Sequence, residues 1–242
     1  MNIFVGELVG TMVLILLGEG VVANVVLNKS KGKDSGWIVI TAGWGFAVAM
    51  AVYIAGWTSG AHINPAVTIA LASVGDIPAA QVPVYLAGQF IGAAIGALLV
   101  WLTYFAHWSV TDDADAKLAV FATAPAIRNT PANLMTEIIG TAVLILGVMG
   151  ISNVNNGLGD GMSPFLVGIL VFSIGLSLGG PTGYAINPAR DLAPRIMHAI
   201  MPIPGRRDSD WGYAWVPVVG PIIGGVIAAL FYTHFFAGLT PL

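Results

Sequence analysis

The sequence predicts an all-α membrane protein with six transmembrane helices plus two re-entrant half-helices, arranged as an inverted 3+3 repeat. Three observations predict it. First, 57% of the 242 residues are hydrophobic and only 9% are charged, whereas a soluble domain is about one-quarter charged. Second, the charges cluster between long apolar runs, the pattern of a polytopic helical chain. Third, Ile-Asn-Pro-Ala occurs at 63–66 and again at 186–189, each time opening an apolar stretch about half a span long.

The elements follow in order. The first run, Ile3 to about Leu27, is too long for the core of a leader peptide and lacks a basic lead-in, so it reads as a span. Five more follow at Trp37–Trp57, Val82–Trp108, Leu134–Ile151, Met162–Leu178 and Tyr213–Phe236. Each comes near the ~20 residues that carry a helix across ~30 Å of hydrocarbon. Between them lie polar, turn-forming stretches, among them "NKSKGKDSG" and "PIPGRRDSDWG". Ile63–Val74 and Ile186–Met201 are apolar but short, and each begins at its Asn-Pro. A helix of ~10 residues rises ~15 Å, so two of them entering from opposite faces meet near mid-membrane. Backbone that stops there must be buried by protein or bathed by water.

The two halves of the chain resemble each other. "ELVGTMVLIL" from Glu7 matches "EIIGTAVLIL" from Glu137, and "VYLAGQFIGA" from Val84 matches "VPVVGPIIGG" from Val216. Residues 1–242 therefore read as one domain, with repeat one about 1–110, a linker about 107–132 and repeat two about 133–242. An odd number of crossings per half inverts the second copy, a plan used for membrane conduits with sites at the midplane. Gly88, Gly92 and Gly96, like Gly220 and Gly224, are spaced by one helical turn and let helix backbones approach closely.

The chemistry-bearing residues sit on this frame. A single Asn-Pro is an ordinary helix start, since Asn caps and Pro suits the first turn. Two copies at matching places imply a shared site. Asn64 and Asn187 are expected to cap their helices and aim amide donors at a pore, with Pro65, Ala66, Pro188 and Ala189 opening each half-helix. The two N-termini bring partial positive charge to the bilayer centre and oppose cations, protons included. Glu7 and Glu137, placed symmetrically, are expected to accept hydrogen bonds from the loops that feed the half-helices. His62 is expected at the pore mouth, and an intramembrane arginine such as Arg190 is costly enough to be functional. Glu19 has no counterpart in the repeat, where Met149 stands, and reads as a residue near the membrane edge. His107, His198 and His234 read as interfacial. There is no cysteine, no metal-ligand spacing, no phosphate loop and no nucleophile constellation, so neither a cofactor nor an enzyme is expected. No basic block suggests nucleic acid.

Over essentially its whole length the chain resembles the major intrinsic proteins, the aquaporin family, on "SGAHINPAVT", "GYAINPAR", the six spans and the two glutamates. "NPARDLAPR", with Asp191 and Arg195, and Pro217 near the last span are similar to the bacterial glycerol-facilitator (aquaglyceroporin) branch. The resemblance implies an aquaporin-like right-handed bundle and a passive channel for glycerol and similar small uncharged solutes, passing water and excluding ions. It implies a selectivity filter of Trp44, Gly175, Tyr184 and Arg190, with Tyr184 where the best-known bacterial glycerol channels carry Phe. Trp44 and Tyr184 would form an apolar corner for carbons, Gly175 would leave room, and Arg190 opposite would bond hydroxyls. Asp191 would support the second half-helix. It further implies a homotetramer in the lipid bilayer of the cell membrane, with both termini cytoplasmic. Lys29, Lys31, Lys33, Lys117, Arg128, Arg206 and Arg207 then lie outside, against the positive-inside rule. A water-selective pore is the alternative. An ion-coupled transporter would need a buried titratable pair at the midplane, and only Glu7 and Glu137 offer one.

Overall fold

A computed structural model describes residues 2–159, 161–236 and 239. The predicted fold class stands: the regular elements are helices, and no strand occurs among the described residues. In order they are α1 (Asn2–Val26), α2 (Trp37–Ser59), α3 (Pro65–Ser73), α4 (Val82–Thr103), α5 (Ala114–Phe121), α6 (Thr130–Ile151), α7 (Ser163–Leu178), α8 (Pro188–Ile200) and α9 (Val216–Phe231). Helices α1, α2, α4, α6 and α9, the last with the π-turn Tyr232–Phe236, are long and apolar enough to cross a bilayer. The sixth span, α7, is only 16 residues, ~24 Å. It starts at Ser163-Pro164 and stops at Gly179-Gly180.

Two pairings carry the frame. Helix α1 packs along α4, and α6 along α9. A side chain on Gly88 would stand 2.9 Å from the Glu7 Cβ, and one on Gly220 2.7 Å from the Glu137 Cβ. One turn further, Gly92 meets the Leu8 carbonyl and Gly224 the Ile138 carbonyl so closely that neither has space for a Cβ. Each glutamate is thus wedged against a glycine backbone, which fixes where its carboxylate points.

The structure adds one element to the sequence reading. Residues 114–121 of the linker form α5, capped by Asp113, whose Oδ1 accepts from the N–H groups of Asp115 (2.8 Å) and Ala116 (3.0 Å). Eight residues are too few to display a helical period, and the aspartates read equally well as a turn. Helix α5 packs on α1 and α8. Most of the loop cations are committed locally: Lys117 is buried and donates to the Pro204 carbonyl, Lys33 to Val26 O, Arg206 to His198 O, while Arg128 pairs with Asp210 and Arg207 with Asp115.

Candidate functional site

The short helices α3 and α8 begin at the two Asn-Pro pairs, and their N-termini meet. Asn64 Oδ1 caps α3 by accepting from Ala66 N–H (2.9 Å), and Asn187 Oδ1 caps α8 by accepting from Ala189 (3.0 Å) and Arg190 (3.2 Å). Their amides then cross over. Asn64 Nδ2 donates to Ile186 O at 2.8 Å, and Asn187 Nδ2 to Ile63 O at 2.9 Å. Each asparagine therefore spends one amide proton on the opposite loop and keeps one.

Those loops hold a costly backbone. Ile63 (φ 45°) and Ile186 (φ 44°) are β-branched residues in the left-handed region, and Ala61 (φ 48°) and Tyr184 (φ 38°) join them. Such a conformation costs ~1–3 kcal/mol per residue and persists only when overdetermined. Here it is held from both ends. The carbonyls of Ile63 and Ile186 receive the crossed amides, and their N–H groups are taken by carboxylates. Glu7 accepts from Ile63 N (2.7 Å), His62 N (2.9 Å), Ser59 Oγ (2.7 Å) and Gln89 Nε2 (2.8 Å). Glu137 accepts from Ile186 N (2.8 Å), Ala185 N (3.1 Å) and Thr182 Oγ1 (2.6 Å). Both glutamates are buried.

A cavity of about 350 Å³ passes this crossing. Trp44, Tyr184 and Arg190 line it toward the loops 27–36 and 107–132; Ser152, Ser163 and Pro164 line it at the other end. One wall is aliphatic (Leu14, Val48, Val67, Leu144, Val171), and the other is the backbone of 60–63 and 184–186 with the two asparagines. The Arg190 guanidinium lies over the Trp44 ring, 4.3 Å from its centroid. It makes no hydrogen bond to a described residue; Nη1 is buried, and the side chain otherwise lines the cavity with its donors unspent. His62 lines the cavity, its ring stacked on Tyr85 at 4.3 Å and its Nδ1 3.1 Å from Thr68 Oγ1.

Gly175 differs from its expected role. It is absent from the cavity wall. A Cβ there would stand 2.8 Å from Tyr184 Cζ and 2.9 Å from its hydroxyl, so the missing side chain is replaced by the Tyr184 ring, braced edge-on by Trp37 at 5.8 Å. Asp191 does not reach the cavity either: it lies behind α8, where Oδ1 pairs with Arg195 (2.8 Å) and Oδ2 accepts from Thr123 N (2.7 Å) and Oγ1 (2.6 Å). Arg195 also donates to the carbonyls of Thr123 and Ser209, tying α8 to the linker and the 201–215 loop. His198 is fully buried against Ser209 Oγ (2.8 Å) instead of interfacial, because that loop folds back over it. Glu19 is completely buried inside the protein. No group of His, Asp and Glu among the described residues could hold a metal.

Sequence reasoning missed Gln89, which donates to both Glu7 and Thr68. A lone amide inside an apolar span was its signal. It also missed Ser59 and Thr182, although these hydroxyls stand at matching places, each five residues before the Asn of its motif.

The family model for the major intrinsic proteins matches residues 1–232. The chain belongs to the major intrinsic protein family. Among relatives of this major intrinsic protein, a probable glycerol uptake facilitator protein of Thermotoga maritima is 65% identical over 98% of this chain and 100% of its own. The glycerol uptake facilitator protein of Bacillus subtilis is 57% identical, over 98% of this chain and 86% of its own. The X-ray structure of the aquaglyceroporin from Plasmodium falciparum superimposes with a TM-score of 0.87 at 32% identity, covering 97% of this chain and 96% of that one. The chain is thus an integral membrane protein of this family.

Proposed function

We propose that this major intrinsic protein is a passive channel for glycerol and similar small uncharged solutes, that water also passes, and that ions and protons are excluded. One observation carries the reading: the cavity is lined by aliphatic side chains on one side and by backbone and amide groups on the other, with unspent donors of Arg190 beside Trp44 and Tyr184. Glycerol has hydroxyls along one edge and carbons along the other. Arg190 would take hydroxyls in its fixed fork, Trp44 and Tyr184 the carbons, and the remaining amide protons of Asn64 and Asn187 would hold an oxygen in passing. The helix N-termini of α3 and α8 and the Arg190 charge oppose cations. The relatives named as glycerol facilitators support the solute class. Location in the cell membrane as a homotetramer with cytoplasmic termini belongs to the same reading. It is supported by the whole-chain likeness and by the fact that most loop cations are committed to local partners, which weakens the charge signal that opposes this orientation.

Stopped-flow light scattering of proteoliposomes under a glycerol gradient tests it. Glycerol flux well above that of empty liposomes is expected. Fast water flux with glycerol flux at the empty-liposome level would leave a water-selective pore instead.

A further inference from the structure

The Arg190 guanidinium has no hydrogen-bonded anchor among the described residues; it rests over the Trp44 ring, 4.3 Å from the centroid. Where the arginine stands therefore depends on where the ring stands, and the ring is seated by α1. A Cβ built on the buried Gly18 would lie 2.3 Å from Trp44 Cζ3, 2.4 Å from Cε3 and 2.6 Å from Cη2. Carbon atoms rest ~3.5–4.0 Å apart, so no side chain fits. The six-membered ring of Trp44 occupies the place that a side chain at position 18 would take.

The internal repeat marks this as a paired exchange. Counted from Glu7 and Glu137, Gly10 matches Gly140, and a Cβ on either would meet the Cγ2 of Ile63 (2.8 Å) or of Ile186 (3.1 Å). One turn on, Leu14 matches Leu144, and both line the cavity. At the next turn the halves part, and Gly18 faces Val148 in the comparison. Counted from Asn64 and Asn187, Trp44 matches Val167, and Arg190 matches Val67. Val67, Val148 and Val167 all belong to the aliphatic lining. One half thus places glycine, tryptophan and arginine where the other places valine each time.

We propose that Gly18 is a specificity-determining residue of the channel: a positioning residue whose bare backbone seats Trp44, and through that ring Arg190, at one mouth of the cavity only. This rests on the reading of Trp44 and Arg190 as filter residues. A methyl group at position 18 has to displace the ring by about 1 Å to reach ordinary contact. Trp44 lines the cavity, which is the open side, so the ring moves inward and takes the support of the guanidinium with it. The opening for a carbon-bearing solute narrows, while water, which is thinner, still passes.

Glycerol and water flux into proteoliposomes, measured for Gly18→Ala, Trp44→Leu and the double variant, tests this. Leucine carries none of the three ring atoms. Gly18→Ala alone should lower the glycerol-to-water flux ratio about tenfold, ~1.4 kcal/mol in the barrier. In the Trp44→Leu background the same change should move the ratio by less than about twofold, because the two sites then no longer touch. Equal effects in the two backgrounds, or no effect in either, overturn the proposal. A Gly18→Ala chain that fails to insert but is repaired by adding Trp44→Leu supports it. Failure of both, with Trp44→Leu alone inserting normally, overturns it, since α1 itself then needs the glycine. Should Trp44→Leu not insert, Trp44→Phe, a shorter ring, takes its place. The filter reading is tested separately by Trp44→Leu alone, which should raise passage of the four-carbon polyol erythritol relative to glycerol. An unchanged ratio there removes Trp44 from the filter whatever Gly18 does.

Discussion

Replacing Gly175 by alanine tests how the constriction is built. An added Cβ would stand 2.8 Å from Tyr184 Cζ, 2.9 Å from its hydroxyl and 2.8 Å from Thr41 Cγ2. Carbon atoms rest ~3.5–4.0 Å apart, so the ring has to withdraw by about 1 Å. It cannot withdraw along α7, since it already lies against the Gly179 backbone, nor past Trp37. The cavity, with Arg190 beyond it, is the open direction. Overpacking of this kind costs ~1–3 kcal/mol. Carried into the barrier for a solute that fills the constriction, that range slows glycerol by roughly 5- to 150-fold, at ~1.4 kcal/mol per decade. Water, which is narrower, should slow far less. Gly175→Ala proteoliposomes in stopped flow should therefore show a fallen glycerol-to-water ratio. Adding Tyr184→Phe removes the hydroxyl contact but not the Cζ contact, and should restore part of the flux. Wild-type glycerol flux in Gly175→Ala would show that Tyr184 is not held against α7 and would refute the reasoning.

Two other perturbations follow from the same geometry. Glu137→Gln turns one acceptor into a donor facing N–H and O–H groups that are already donors, leaving at least one unpaired at ~1–3 kcal/mol and releasing the strain at Ile186; the thermal unfolding midpoint of the purified protein should drop by several degrees, and an unchanged midpoint would count against the bracing role. Asp191→Ala strands the fully buried Arg195, at ~3–5 kcal/mol, and loosens the 201–215 loop that Arg195 holds; trypsin should then cut at Arg206 or Arg207 faster than in wild type, with equal cleavage rates arguing that the pair does not anchor the loop.

Much of the candidate site was legible in the sequence because its signals are short-range. Asn-Pro starts a helix wherever it stands, and a glutamate in an apolar run must find donors. The symmetric placement of Glu7 and Glu137 pointed to the loops that supply them. What could not be read was the identity of partners brought together by folding. Nothing near Gly175 in the chain says that Tyr184 fills its space. Nothing near Asn64 says that its amide is claimed by Ile186 O. Asp191 and Arg195 are one helical turn apart and could have been paired on paper, but the burial that makes the pair costly to break comes from α5 and the 201–215 loop.

The sequence by itself determined the places of the six spans and the two half-helices, the doubling of the motif and the places where polar groups enter lipid, though not α5, because hydrophobic length and capping are local properties. Only the tertiary structure decided which wall of the cavity is polar, where the spare protons of Asn64 and Asn187 and the donors of Arg190 stand, and that Glu19 is inside. Those depend on backbones approaching at Gly92 and Gly224 and on left-handed turns held at Ile63 and Ile186. The backbone approaches join residues more than eighty positions apart and the crossed amides more than a hundred and twenty, and local propensity does not encode them.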